Sequence, residues 1–187
     1  MDSFKEDKTQ KIYLLPAGDI NTEFFTRLAI CLEERFLYKV KIMNSMPMPP
    51  QAYNIIKKQY FTNTIMERMK RIMPRDAKFL IGVADVDIYL TSLNFVFGQA
   101  IAEDRMALIS IYRLHPEFYG EAGDDDLLFT RILKEATHEL GHLMGSKHCF
   151  NNQCIMYFSN SIFDTDRKGT LFCSECEKKI KKHAFGV

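Results

Sequence analysis

The chain has 187 residues, 47% hydrophobic and 26% charged, a balance that suits one globular domain over residues 1–187. A formal net charge of +1 leaves no bulk electrostatic case for nucleic acid or a membrane surface as partner. No apolar run is long enough to span a bilayer, and the charged start MDSFKEDKTQK lacks a secretory apolar stretch, so a cytoplasmic protein is expected.

Residues 1–10 read as a frayed polar start. Lys11–Pro16 reads as a short strand ended by proline, and Gly18–Asp19 as a turn. From Asn21 or Thr22, as N-cap, apolar residues recur at helical spacing through Leu32, with Cys31 on the apolar side. Tyr38–Met43 alternates like a strand, and the prolines of Met46–Pro50 demand a loop. A second helix is expected over roughly Gln51 to Ile72, with an interruption at Asn63–Thr64 and with methionines as core filler. Ala77–Ala84 suits a buried central strand, followed by a solvated strand end at Asp85 and Asp87. Leu93–Ala100 and Met106–Tyr112 read as two more strands. The order β-α-β-α-β-β-β-α predicts an α/β (α+β) fold, a mixed twisted sheet with helices on its faces. The lysines at 178, 179, 181 and 182 read as the solvated face of a last helix, and His115 and His183 as surface residues.

The clearest helix starts at Asp124–Asp126, which supply a cap and a favourable charge at the positive helix end. Leu128, Ile132, Ala136, Leu140 and Leu143 form its core stripe, and Gly145 is where it should stop. His138 and His142 are four residues apart and share another face, about 200° round from Ala136. Glu139 follows His138 at once, giving the H-E-x-x-H arrangement of zinc hydrolases. A catalytic zinc takes three protein ligands and keeps one position open. The third ligand has to come from outside the helix, and a reversal at Gly145 would bring His148 back to the metal.

Downstream, Cys173-Ser-Glu-Cys176 forms a C-x-x-C, and Cys149 and Cys154 enclose four residues. Four thiolates at about 2.3 Å would make a closed structural zinc site, in preference to disulfides or unpaired thiols. His148 and Cys149 are neighbours, so the two sites would be coupled through the loop that aims His148.

On these residues the sequence resembles the archaemetzincins, a group of the metzincin zinc peptidases. The pattern is His138-Glu139-x-x-His142-x-x-Gly145-x-x-His148-Cys149, then Cys154, Met156 and Cys173-x-x-Cys176, all within residues 138–176. The stretch LNFVFGQA is also similar to the family's strand before the active-site helix. The resemblance implies an α/β metzincin domain with a short C-terminal part, a catalytic and a structural zinc, and peptidase activity on peptide or protein substrates. It implies that Met156 is the Met-turn residue under the catalytic zinc. No cysteine-switch segment is recognised.

The expected chemistry is hydrolysis by zinc-activated water, with Glu139 as general base. Tyr157 is a candidate for contact with the oxyanion or the substrate, and Leu93–Ala100 for pairing with an extended substrate. The competing readings are a non-catalytic zinc-stabilised binding protein, a zinc amidase acting on a non-peptide bond, and a centre using Glu175 as third ligand.

Overall fold

The computed structural model describes residues 10–185, with the backbone alone for 183–185. The polar start therefore lies outside the described residues apart from Gln10, as does the side chain of His183. The first strand β1, Lys11–Ala17, leads into helix α1, Glu23–Phe36, and then β2, Val40–Ile42. Pro16 does not end β1, contrary to expectation. Ile12 and Leu14 turn their amide and carbonyl groups toward β2, and Pro16 occupies the same phase where β2 has already stopped. Its missing N–H therefore costs no ladder bond.

The expected long helix from Gln51 is replaced in its first half. A 3₁₀ turn at Pro50–Ala52 is followed by β3, Tyr53–Asn54, and β4, Gln59–Phe61, and only Thr62–Ile72 forms helix α2. The cause is Asn54, whose Oδ1 accepts from the amides of Ile56 and Lys57, both at 3.0 Å. That local bond closes a turn instead of a helix, and Lys58 completes it at φ 54°. Asn63 and Thr64 open α2 and do not interrupt it.

The remaining strands are β5, Ala77–Ala84, β6, Ile88–Tyr89, β7, Gly98–Ile101, and β8, Met106–Ser110. The expected strand at Leu93–Ala100 is thus cut back to its last residues. Leu93 N–H closes a turn on Leu90, Asn94 O is taken by the Gln59 amide, and Val96 N–H bonds Ile88. These bonds hold 93–96 in place of a strand ladder.

Strands run β2-β1-β5-β8-β7 in a five-stranded sheet, parallel except for β7, which pairs antiparallel with β8 at the edge. Strands β3, β4 and β6 form a small second sheet. Helix α3, Asp125–Leu143, is followed by the short α4, Ile162–Arg167, and by α5, Ser174–Phe185. One face of the large sheet packs against α1, α3 and Ile180 of α5, and the other against α2 and its methionines Met66 and Met69. Lys178, Lys179, Lys181 and Lys182 are exposed on α5 as expected. No helix among the described residues is long and apolar enough to cross a membrane.

Candidate active site

Helix α3 carries most of the site. Asp124 caps it, its side chain accepting from Leu127 N–H at 2.9 Å. Ile132, Ala136, Leu140 and Leu143 face the core as expected. The flank of this stripe is also buried and is polar: Arg131, Lys134, Glu135, His138 and Glu139 are all buried. The helix ends at Leu143, and Gly145 takes φ 81°, a conformation that favours glycine. Ser146 N–H then closes onto Gly141 O at 2.9 Å, and the chain doubles back so that His148 returns to the face of His138 and His142.

The three histidines converge, with one ring nitrogen of each within 4.8 Å of the others. His138 Nδ1 donates to Ile155 O and His142 Nδ1 to Ser146 O, both at 2.8 Å. Each ring's proton is thereby fixed on Nδ1, and the two Nε2 lone pairs face one another at 3.1 Å. Lone pairs so close repel unless a cation lies between them. Ligands of one tetrahedral zinc stand about 3.3 Å apart, so this spacing fits that ion. Burial holds His138 well below the ordinary imidazole pKa, and His142 and His148 below it, which keeps all three neutral as metal ligands must be.

Met156 is fully buried against α3. It fits because position 141 is glycine: a Cβ there would stand 2.4 Å from Met156 Sδ. Glu139 turns toward the edge strand, again against a glycine, since a Cβ on Gly98 would lie 2.5 Å from its Oε1. Burial, with the negative charge of Glu135 one turn away, pushes the Glu139 carboxyl up to about 8, so an ionised base here requires positive charge nearby.

Between α3 and the β7 edge runs a cleft of about 530 Å³, lined by the histidines, Glu139, Phe95, Phe97 and Phe158. The Phe158 ring meets that of His148 at 4.8 Å. Tyr157 is bridged to Cys149 and is not among the lining residues. Glu175 pairs with Lys178 on exposed α5, apart from the histidine group. Asp85 and Asp87, expected as a solvated strand end, are ion-paired instead. Arg113 donates to both Asp87 oxygens at 2.7 Å and stacks on Phe95 of the cleft wall, while Asp85 holds His115, which is half-buried where a surface residue was expected.

The second cluster gathers Cys149, Cys154, Cys173 and Cys176, with no disulfide and all four sulfurs within 4.8 Å. Cys149 Sγ and Cys173 Sγ are 3.8 Å apart, the edge of a tetrahedron with sulfur at about 2.3 Å from its centre. The Cys176 N–H pulls the Cys173 thiol down to about 7, and burial pushes Cys154 and Cys176 up. Cys31, apart from this group, packs on the core from α1 as expected.

Sequence reasoning passed over Gly98, Phe158, Glu135 and Lys168. Of these only Glu135 left a trace, four residues before Glu139 on the same helix face.

The family model described as peptidase family M54 matches residues 26–182. An archaemetzincin of Pyrococcus furiosus is 42% identical over 178 residues, which covers 91% of this chain and 92% of that protein. One of Methanocaldococcus jannaschii is 41% identical over 171 residues, covering 91% and 93%. A zinc-dependent peptidase of Methanocorpusculum labreanum superposes with a TM-score of 0.83 at 27% identity, over 90% of this chain and 99% of that one. The Archaeoglobus fulgidus archaemetzincin superposes at 0.78 with 38% identity, over 91% and 99%. The matches cover nearly the whole fold and include the segment that holds both clusters, and the chain therefore belongs to peptidase family M54, the archaemetzincins, and is a zinc metallopeptidase.

Proposed function

We propose that the chain holds two zinc ions with separate roles: His138, His142 and His148 hold the catalytic one, and Cys149, Cys154, Cys173 and Cys176 a structural one. The observation that carries this reading is the pair of inward lone pairs on His138 and His142, each fixed by a carbonyl behind it. Zinc held by these three histidines would supply Lewis-acid chemistry, acidifying a water and offsetting negative charge on the amide oxygen. Glu139, buried at the cleft side of α3, takes the proton of the attacking water and hands it to the leaving amine. Met156 shapes the floor under the histidines without ligating. The substrate peptide lies extended along the outer edge of β7, Gly98–Ile101, which among the described residues pairs with β8 alone. Phe158 and Ser159, the residues after Tyr157, line the cleft and are the nearer candidates for substrate contact.

The test combines metal analysis with one isosteric substitution. Purified protein should carry two zincs per chain. Glu139→Gln should keep both while peptide cleavage falls by about 10²–10⁴-fold. Cleavage within threefold of the parent would remove Glu139 from the role of base.

A further inference from the structure

Phe95 and Phe97, in the wall of the cleft, begin a longer aromatic row. Ser110 N–H bonds Phe97 O at 2.8 Å, which brings the end of β8 beside the start of β7. Two 3₁₀ turns follow β8 there, Tyr112–Leu114 and Pro116–Tyr119. Phe97, next to the glycine against which Glu139 lies, meets Phe95 edge to face at 5.4 Å. The Arg113 guanidinium then stands 4.2 Å from the Phe95 ring centre and 5.0 Å from that of Phe118. Phe118 in turn meets Tyr112 at 5.5 Å and Tyr119 at 5.0 Å. The row leads without a break from the cleft to the surface.

Its outer end is open and stiff. Tyr112, Phe118 and Tyr119 are 41%, 41% and 38% exposed. Arg113 behind them is fixed: Asp87 accepts two bonds from its guanidinium, and the Tyr119 hydroxyl donates to its carbonyl at 2.9 Å. The fold gains nothing from leaving three neighbouring rings in water, whereas rings already held in place lose little freedom when a ligand covers them. Asp87 also neutralises Arg113, so the row offers ring surface and no free charge.

We propose that Phe118 and Tyr112 form an outer subsite of the cleft, which takes an apolar or aromatic side chain of the peptide substrate within about four residues of the cleaved bond. The inference rests on the cleft being the peptide-cleaving site. From Phe97 to Phe118 the row spans at most about 15 Å, the reach of four or five residues of extended chain. A peptide extended along β7 that leaves past Gly98 therefore crosses Phe95 and arrives at Phe118. An acidic side chain would find the guanidinium already bonded to Asp87, while an apolar one needs only the exposed ring faces.

The experiment measures binding, so it does not depend on turnover. Phosphinic peptides, which carry a stable phosphinate where the cleaved bond would lie, are titrated calorimetrically into the zinc-loaded full chain. They bear four serines on each side, and phenylalanine or glutamate replaces each serine in turn. On one side, beyond the residue next to the phosphinate, phenylalanine should tighten binding by about fivefold or more over serine, and glutamate should not. That gain should disappear in Phe118→Ser and shrink in Tyr112→Ser, with melting temperatures showing that each variant is folded. Equal binding of all compounds, a gain for glutamate in place of phenylalanine, or a gain that folded Phe118→Ser retains overturns the proposal. So does a dimer that Phe118→Ser dissociates in sedimentation, which would assign the rings to a second copy of the chain. Failure of every compound to bind would instead overturn the cleft as the peptide site, and the subsite with it.

Discussion

Gly98→Ala isolates the placement of the base from its identity. The added Cβ would stand 2.5 Å from Glu139 Oε1 and 2.9 Å from both Cδ and Cγ. Ordinary contact begins near 3.4 Å, so the carboxylate has to retreat by about 0.9 Å. The backbone at Gly98 is not in the left-handed region, so alanine itself is tolerated. The obstacle is the end of a flexible side chain, and turning it off its rotamer costs about 0.5–1.5 kcal/mol. The fold should therefore persist with its zinc. Catalysis should not, because a displacement of about 1 Å costs on the order of 10²-fold. That corresponds to about 2.7 kcal/mol in the barrier, expressed in kcat with KM little changed. The assay is steady-state cleavage of a fluorogenic peptide, with metal content and melting temperature measured on the same preparation. In a Glu139→Gln background the same substitution should cost nothing further, since the group it displaces no longer acts. A variant with kcat within threefold of the parent would refute the reasoning, by showing that the carboxylate does not work from the space beside β7.

Three further outcomes follow from the geometry. Cys173→Ser should release one zinc equivalent and lower the melting temperature, measured by metal analysis and calorimetry, while unchanged zinc would separate Cys173 from the cluster. Glu135→Leu alone should destabilise the fold by about 3–5 kcal/mol because it leaves Lys168 charged and buried, and adding Lys168→Met should restore most of that in denaturant titrations. His115 has its pKa raised by the hydrogen bond to Asp85, so its folded value lies above the unfolded one of 6.5. Its stabilisation is complete below pH 6.5 and fades as pH rises through the folded value, so the melting deficit of His115→Gln should shrink between pH 5.5 and pH 9.

What the sequence made legible was governed by local rules. The histidine spacing on α3, its aspartate cap and the stop at Gly145 each depend on neighbours within a few turns, and each appears where expected. The Asn54 turn was equally local, but its signal was overridden by an apolar pattern in which Ile55 and Ile56 looked like core and are in fact 79% and 91% exposed. The loop at 93–96 could not be foreseen, because the groups that hold it, the Gln59 amide and Ile88 O, come from the second sheet. Likewise Lys168 meets Glu135 across 33 residues, a pairing that no periodicity encodes.

The buried polar face of α3 explains why the two clusters occur together. A helix whose apolar stripe is flanked by the buried Arg131, Lys134, Glu135, His138 and Glu139 needs a cover rich in hydrogen-bond partners. That cover is the chain from Met144 onward. It supplies Ile155 O to His138, Ser146 O to His142, Asp166 to Arg131 and the carbonyls of Thr165 and Asp166 to Lys134. Between Met144 and α4 it contains no helix or named strand, so no regular backbone ladder fixes that stretch against α3. The cysteines act at that point. Ile155, whose carbonyl orients His138, lies between Cys154 and Met156, and Cys149 N–H bonds Met156 O at 2.9 Å. A metal held by the four sulfurs would therefore fix the position of His138 Nε2 as well as the loop that presents His148. Loss of the second zinc should then lower the affinity of the histidine site before the sheet melts, and zinc titration of Cys173→Ser at a temperature where it stays folded would decide it. An unchanged affinity at the histidines would mean that the cover holds α3 without help from the sulfurs.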